Sequence, residues 1–137
     1  MKRILVLCTG NSCRSQMAEA YLRHFAVGRA EIFSAGIECH GLNSRAVDIM
    51  QEDGFDISEH RSKNLLEFTE MTFDYIITVC DHAQENCPHL PSKATRLHCN
   101  FPDPAKAIGS ASEILNEFRE VRNKIKAYCN KIAEEIF

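Results

Sequence analysis

The sequence predicts an α/β protein of three layers, α/β/α, built on a four-stranded parallel sheet. Short aliphatic runs alternate with longer stretches of helical periodicity, the order left by strands joined through crossover helices. One of those runs, Phe73 to Val79, is apolar throughout, as in a strand covered on both faces. The 137 residues, 45% hydrophobic and 26% charged, suffice for one domain spanning 1–137 with a real core and are too few for two full-sized ones. Right-handed crossovers then set the first and third strands side by side near the middle of the sheet.

Lys2 to Leu7 is the first strand; it ends in the turn residues Thr9, Gly10, Asn11 and Ser12, and helical periodicity follows from Arg14 to Phe25. Glu31 to Ala35 reads as a second strand stopped by Gly36. Asn43 to Asp53 reads as a helix with Ala46, Val47, Ile49 and Met50 on its apolar face, halted before Gly54. Ser62 to Met71 is expected to be helical. Phe73 to Val79 is the buried third strand and Thr95 to His98 a shorter fourth. From Ser112 to Ile136, Leu115, Phe118, Val121, Ile125, Cys129, Ile132 and Ile136 fall on one stripe, an amphipathic closing helix that packs on the core.

Sixteen Lys and Arg against nineteen Asp and Glu leave a net charge of −3, with neither sign gathered into a block. That offers no footprint for a nucleic acid or an anionic membrane surface. The first apolar stretch stops at Thr9, too soon for an export signal, Leu7 is bulky where cleavage before Cys8 would want a small residue, and no run approaches membrane-spanning length. A cytoplasmic monomer without a cofactor is expected.

The cysteines, at 8, 13, 39, 80, 87, 99 and 129, are odd in number, and without an export signal they are expected to be reduced thiols. No C-x-x-C occurs. Cys80, His82, Cys87, His89, His98 and Cys99 form a loose cluster of zinc-favouring ligands, but their spacings match no compact ligand hairpin, so no metal is assigned. Ligands of doubly wound sheets bind beyond the carboxyl ends of the strands, and both Cys8 and Cys80 follow strands there.

The loop Cys8-Thr9-Gly10-Asn11-Ser12-Cys13-Arg14-Ser15 carries the chemistry. A short loop curling into a helix N-terminus aims successive backbone N–H groups at one point, which suits an oxyanion. Gly10 permits a positive φ, and Asn11 is among the few other residues that tolerate one. Arg14 offers a planar fork for two oxygens of a tetrahedral anion. In that field Cys8 should be a thiolate nucleophile, with Ser12 and Ser15 donating hydrogen bonds to its sulfur.

The stretch VLCTGNSCRSQMAEAY at 6–21 resembles the low-molecular-weight tyrosine phosphatase superfamily, and specifically its thioredoxin-coupled arsenate reductases. SAGIECHGLN at 34–43, DISEHRSK at 56–63, ITVCDHAQENCP at 77–88 and FREVRNKIK at 118–126 are similar to the same reductases, so the likeness covers nearly the whole chain. The resemblance implies that the fold is that of the low-molecular-weight phosphatases and that arsenate is the substrate, with phosphate or sulfate as competing oxyanions. It implies a relay in which Cys8 attacks the anion, a Cys8-Cys80 and then a Cys80-Cys87 disulfide form, and thioredoxin restores the thiols. Chemistry agrees, because reducing As(V) to As(III) takes two electrons and two thiols becoming a disulfide supply two. Neighbouring strands lie about 4.8 Å apart, within the separation a disulfide accepts. A helix over 81–87 would hold Cys87 about 10 Å from Cys80, so 81–88 is expected to unwind on oxidation.

Asp103, before Pro104, is the general acid the resemblance implies, with burial expected to keep it protonated. Phosphatases of the superfamily carry an aromatic residue after this Asp-Pro; here Ala105 and Lys106 follow, favouring a small inorganic anion. Cys13 could bridge to Cys8 or pack in the first helix. Some of the reductases hold potassium through residues matching Asn11, Glu19 and Ser34; here Lys63 stands where another acid would be expected, and its ammonium could pair with Glu19 instead. The alternative is a phosphatase working through a phosphocysteine, with incidental extra thiols.

Overall fold

A computed structural model describes residues 1–87 and 93–137. The chain runs β1 (Lys2–Cys8), α1 (Arg14–Phe25), β2 (Ala30–Gly36), α2 (Ser44–Glu52), β3 (Tyr75–Thr78), α3 (Asp81–Asn86), β4 (Thr95–His98) and α4 (Ala111–Ile136), with single 3-10 turns at Leu65–Phe68 and Pro104–Lys106. The four strands form one parallel sheet in the order β2-β1-β3-β4, the class and adjacency expected from the sequence.

β1 is central, and Ile4, Leu5, Val6 and Leu7 are fully buried. α1 lies against β1 and β2 through Met17, Tyr21 and Leu22, and α4 packs along α1 with Phe118, Val121, Ile125 and Cys129 buried. On the other side Phe33, Phe68 and Phe73 meet edge to face. The helices begin where their caps put them. Asn43 Oδ1 accepts from the amides of Arg45 and Ala46, and Ser110 and Glu113 close a reciprocal capping box. Among the described residues no helix is long and apolar enough to cross a membrane.

The predicted helix over 62–71 is the main correction: only one 3-10 turn forms, at Leu65–Phe68. The backbone just before it is committed elsewhere. The Arg61 carbonyl accepts from Gln16 Nε2, the Lys63 amide donates to Asn11 Oδ1, and the Lys63 carbonyl accepts from the Gly36 amide. A helix through these residues would break those bonds. The third strand is also shorter than predicted: Phe73 and Val79 lie outside its ladder, although the Val79 amide still donates to the Leu7 carbonyl.

The register sets up the site. Leu7 pairs with Thr78, and Val6 with both Ile77 and Ser34. One residue further, Cys8 ends the central strand while Cys80 caps α3 beside it, both at the carboxyl edge of the sheet.

Candidate active site

Asn11, at φ 49°, is the non-glycine residue with positive φ in the loop. Its Nδ2 donates to Ser15 Oγ (2.7 Å) and Ser34 Oγ (3.0 Å), and its Oδ1 accepts from Gln16 Nε2 and the Lys63 amide. The left-handed turn at Asn11 aims its own amide at Cys8 Sγ, 3.2 Å away, and Ser15 Oγ stands 2.8 Å from the same sulfur. Because Asn11 donates into Ser15 Oγ, the serine's proton is left to point at the cysteine. Two donors thus converge on Cys8, which is 2% exposed.

Of the two loop residues able to take a positive φ, Asn11 does so; at Gly10 a Cβ would fall 2.3 Å from the His40 ring. One expectation for this loop needs correcting. Ser12 does not reach Cys8: its hydroxyl lies 3.8 Å from Cys13 Sγ. Burial pushes the Cys13 thiol up to about 12, with Asp103 and Cys8 adding to the effect, so it remains protonated.

Above the loop opens a cavity of about 600 Å³ lined by Cys8, Thr9, Gly10, Ser12, Cys13 and Arg14, by His40, by Cys80, Asp81 and His82, and by Asn100, Phe101, Pro102, Asp103 and Lys106. Of the residues singled out in the sequence, Asn11 and Ser15 lie behind this wall, both fully buried. A larger hollow of about 740 Å³, around Lys2, Glu31, Asp74 and Thr95 at the amino ends of the strands, has no cysteine in its lining.

Arg14 is nearly buried; Nη1 donates to the Phe101 carbonyl (3.0 Å) and Nη2 lies 3.7 Å from Asp103 Oδ2. The other Asp103 oxygen accepts from the Ala105 amide. The burial expected at Asp103 is not found: its side chain is 27% exposed and faces a guanidinium. Cys80 is 2% exposed, accepts from the Ala83 amide at 3.4 Å, and touches Thr9 Oγ1 at 3.4 Å. Thr9 Oγ1 in turn lies 3.2 Å from His82 Nδ1. Cys87 is outside the cavity, half-buried at the far end of α3, with Arg96 Nη1 3.5 Å from its sulfur.

Glu19 anchors the back of the loop. It accepts from Ser34 Oγ (2.8 Å), with Lys63 Nζ at 3.7 Å and His60 Nδ1 at 3.3 Å. The ammonium stands beside Glu19, as the pairing considered from the sequence requires. Among the described residues no three His, Cys, Asp or Glu side chains gather closely enough to hold a metal. Of the Cys/His cluster, His98 is engaged with Asp81 and Thr78, and His89 lies outside the described residues, as does Pro88 of the 81–88 segment. Gln16, His40 and Lys106 escaped the sequence reading as site residues. The Q directly after R-S was the only available signal for Gln16, and a loop-to-loop contact such as His40 on Gly10 leaves none.

Residues 3–137 match the family described as low molecular weight phosphotyrosine protein phosphatase. The chain belongs to that family. Within it, this member stands with the arsenate reductases: it is 44% identical over 133 residues to the arsenate reductase of Shouchella clausii, covering 97% of this chain and 96% of that one. Against the arsenate reductase of Bacillus subtilis the identity is 41% over 133 residues, with the same coverage. Among solved structures, an arsenate reductase in oxidized state superposes over the full length of both chains with a TM-score of 0.84 at 27% identity. One in reduced state does so with 0.82 at 28%.

Proposed function

We propose that this phosphatase-family member reduces arsenate to arsenite with Cys8, Cys80 and Cys87, and that thioredoxin restores the thiols. The observation carrying this reading is that Cys8 and Cys80 are both buried in the wall of one cavity, with Thr9 spanning from the loop to Cys80. A hydrolase needs the first sulfur and has no use for the second.

Cys8 Sγ, which faces the Asn11 amide and the Ser15 hydroxyl, attacks arsenic while Arg14 and the other amides of the loop hold the remaining oxygens. Once the anion has taken over the Arg14 fork, the Asp103 carboxyl can carry a proton, and one arsenate oxygen leaves as water with it. Cys80 then attacks Cys8. The S–S bond forms as the S–As bond breaks, its electron pair stays on arsenic, and arsenite departs. Cys87 next attacks Cys80, releasing Cys8 and leaving a Cys80-Cys87 disulfide that the two thiols of thioredoxin open. Lys106 at the cavity wall, two residues beyond Asp103-Pro104, adds positive charge suited to a small anion.

Arsenate-dependent oxidation of thioredoxin, followed with each of Cys8→Ser, Cys80→Ser and Cys87→Ser, tests the reading. All three variants should lose turnover by at least about a hundredfold. Aryl phosphate hydrolysis indifferent to the changes at 80 and 87, with no arsenite formed, would establish the phosphatase alternative.

A further inference from the structure

Cys80 must shed a proton before it can attack Cys8, and the proposed reaction so far gives that proton no destination. We infer that His82 receives it through the hydroxyl of Thr9. The inference rests on the reductase reading and adds a residue to it.

Thr9 Oγ1 lies 3.4 Å from Cys80 Sγ and 3.2 Å from His82 Nδ1, so one hydroxyl touches both the buried thiol and the imidazole. With His82 neutral and its proton on Nε2, Nδ1 is an acceptor. Thr9 then donates to it and is left with a lone pair for the Cys80 S–H. As the proton moves from sulfur to Oγ1, the hydroxyl's own proton moves to Nδ1. The thiolate forms a bond to Cys8, the S–As bond breaks, and the imidazolium returns its proton to the departing arsenite or to water. No group outside the proposed reaction is required.

The surroundings leave this role to His82. Asp81, on the same helix, has its carboxylate bound to His98 Nε2 at 2.7 Å. Glu85, one turn along α3, is exposed. The other titratable groups of the cavity wall are Cys8, Cys13, Arg14, His40, Asp103 and Lys106. Of these, Asp103 faces Arg14 and His40 Nε2 is bonded to Glu38 Oε2. Free imidazole titrates near 6.5 and a free thiol near 8.5, so at neutral pH a histidine can take up a proton that solvent would remove slowly. His82 is itself exposed, so it can exchange that proton with water.

The test uses the Cys87→Ser chain, which stops at the Cys8-Cys80 disulfide, and measures arsenite formed in a single turnover across pH. Arsenite release should fall as the solution is acidified. His82→Gln keeps the size and polarity but cannot hold a proton. It should slow release by about a hundredfold at neutral pH, with the rate climbing towards alkaline pH, and without moving the thermal midpoint. In His82→Ala, added imidazole should restore the rate in proportion to its neutral form, which a purely structural role would not produce. An unchanged rate and pH profile in His82→Gln, or no response to imidazole, overturns the inference while the reductase reading stands. Absence of arsenite from the Cys87→Ser chain itself overturns both.

Discussion

At Asn11 a left-handed backbone coincides with four side-chain hydrogen bonds to Ser15, Ser34, Gln16 and the Lys63 amide. The two roles are separable by substitution. Asn11→Gly keeps the backbone freedom and loses the bonds; Asn11→Ala loses both and adds left-handed strain of about 1 kcal/mol or more. Both variants should be destabilised by roughly 2–3 kcal/mol in urea unfolding, the alanine more than the glycine, and both should bind phosphate weakly. His60 offers a pH test. Burial holds its imidazole below the ordinary value of 6.5, outweighing the pull of Glu19, and Arg23 and Lys63 push in the same direction as burial. The unfolded chain therefore takes up the proton first as pH falls through 6.5, so stability drops in the window just below it and levels off once the folded form is protonated too. His60→Gln should flatten urea midpoints measured across that window. Little of this network was legible in the sequence. A turn-forming Asn beside a Gly makes a positive φ predictable, but the bonds that hold Asn11 in it run to Ser34 and Lys63, across distant chain.

α2 is tied to α4 by polar contacts at its end. Arg122 Nη1, on a residue 9% exposed, donates to the Ile49 carbonyl at 2.8 Å and to Glu52 Oε1 at 3.0 Å, while Arg119 reaches the same carboxylate. Arg122→Leu fills the space but strands the Ile49 carbonyl, and should cost about 2 kcal/mol in chemical denaturation; Arg119→Leu, on an exposed pair, should cost under about 1 kcal/mol. The two differ because only one of them leaves a buried acceptor without its donor. Elements whose signals are local were readable beforehand: α1 and β4 occur at the predicted residues and α4 begins one residue earlier, since periodicity and caps lie within their own sequence. The stretch 62–71 was misread for the opposite reason. Its apolar spacing permits a helix, but its backbone at Lys63 is recruited by Gly36 and Asn11, both far away in the chain.

The molecule as a whole divides between a rigid half, where β1, β2, α1 and α4 share the core, and α3, a six-residue helix that touches the sheet through few buried side chains, Ala83 among them. The proposed relay requires the second to move while the first stays. Seven residue steps separate Cys80 from Cys87 across that helix, about 10 Å, and a disulfide between them needs its Cα atoms within about 7 Å. Amide hydrogen exchange should therefore accelerate over 81–86 when the protein is oxidised by arsenate and stay unchanged in β1 and α1; equal protection in both states would contradict the Cys80-Cys87 step. The alternation of elements was enough to read the parallel sheet and the loop at its edge, because strand order follows from crossover handedness. That order also set Cys8 and Cys80 at one edge of the sheet; that Cys13 lines their cavity while Cys87 stays outside it depends on packing beyond the local sequence.

The sulfur that caps α3 is the sulfur assigned to react. Cys80 Sγ accepts the Ala83 amide, and a sulfur drawn into a bond with Cys8 becomes a poorer acceptor and is pulled away from the helix. In the proposed reaction the bond-making event thus loosens the latch of the very segment that has to let go, and times its release.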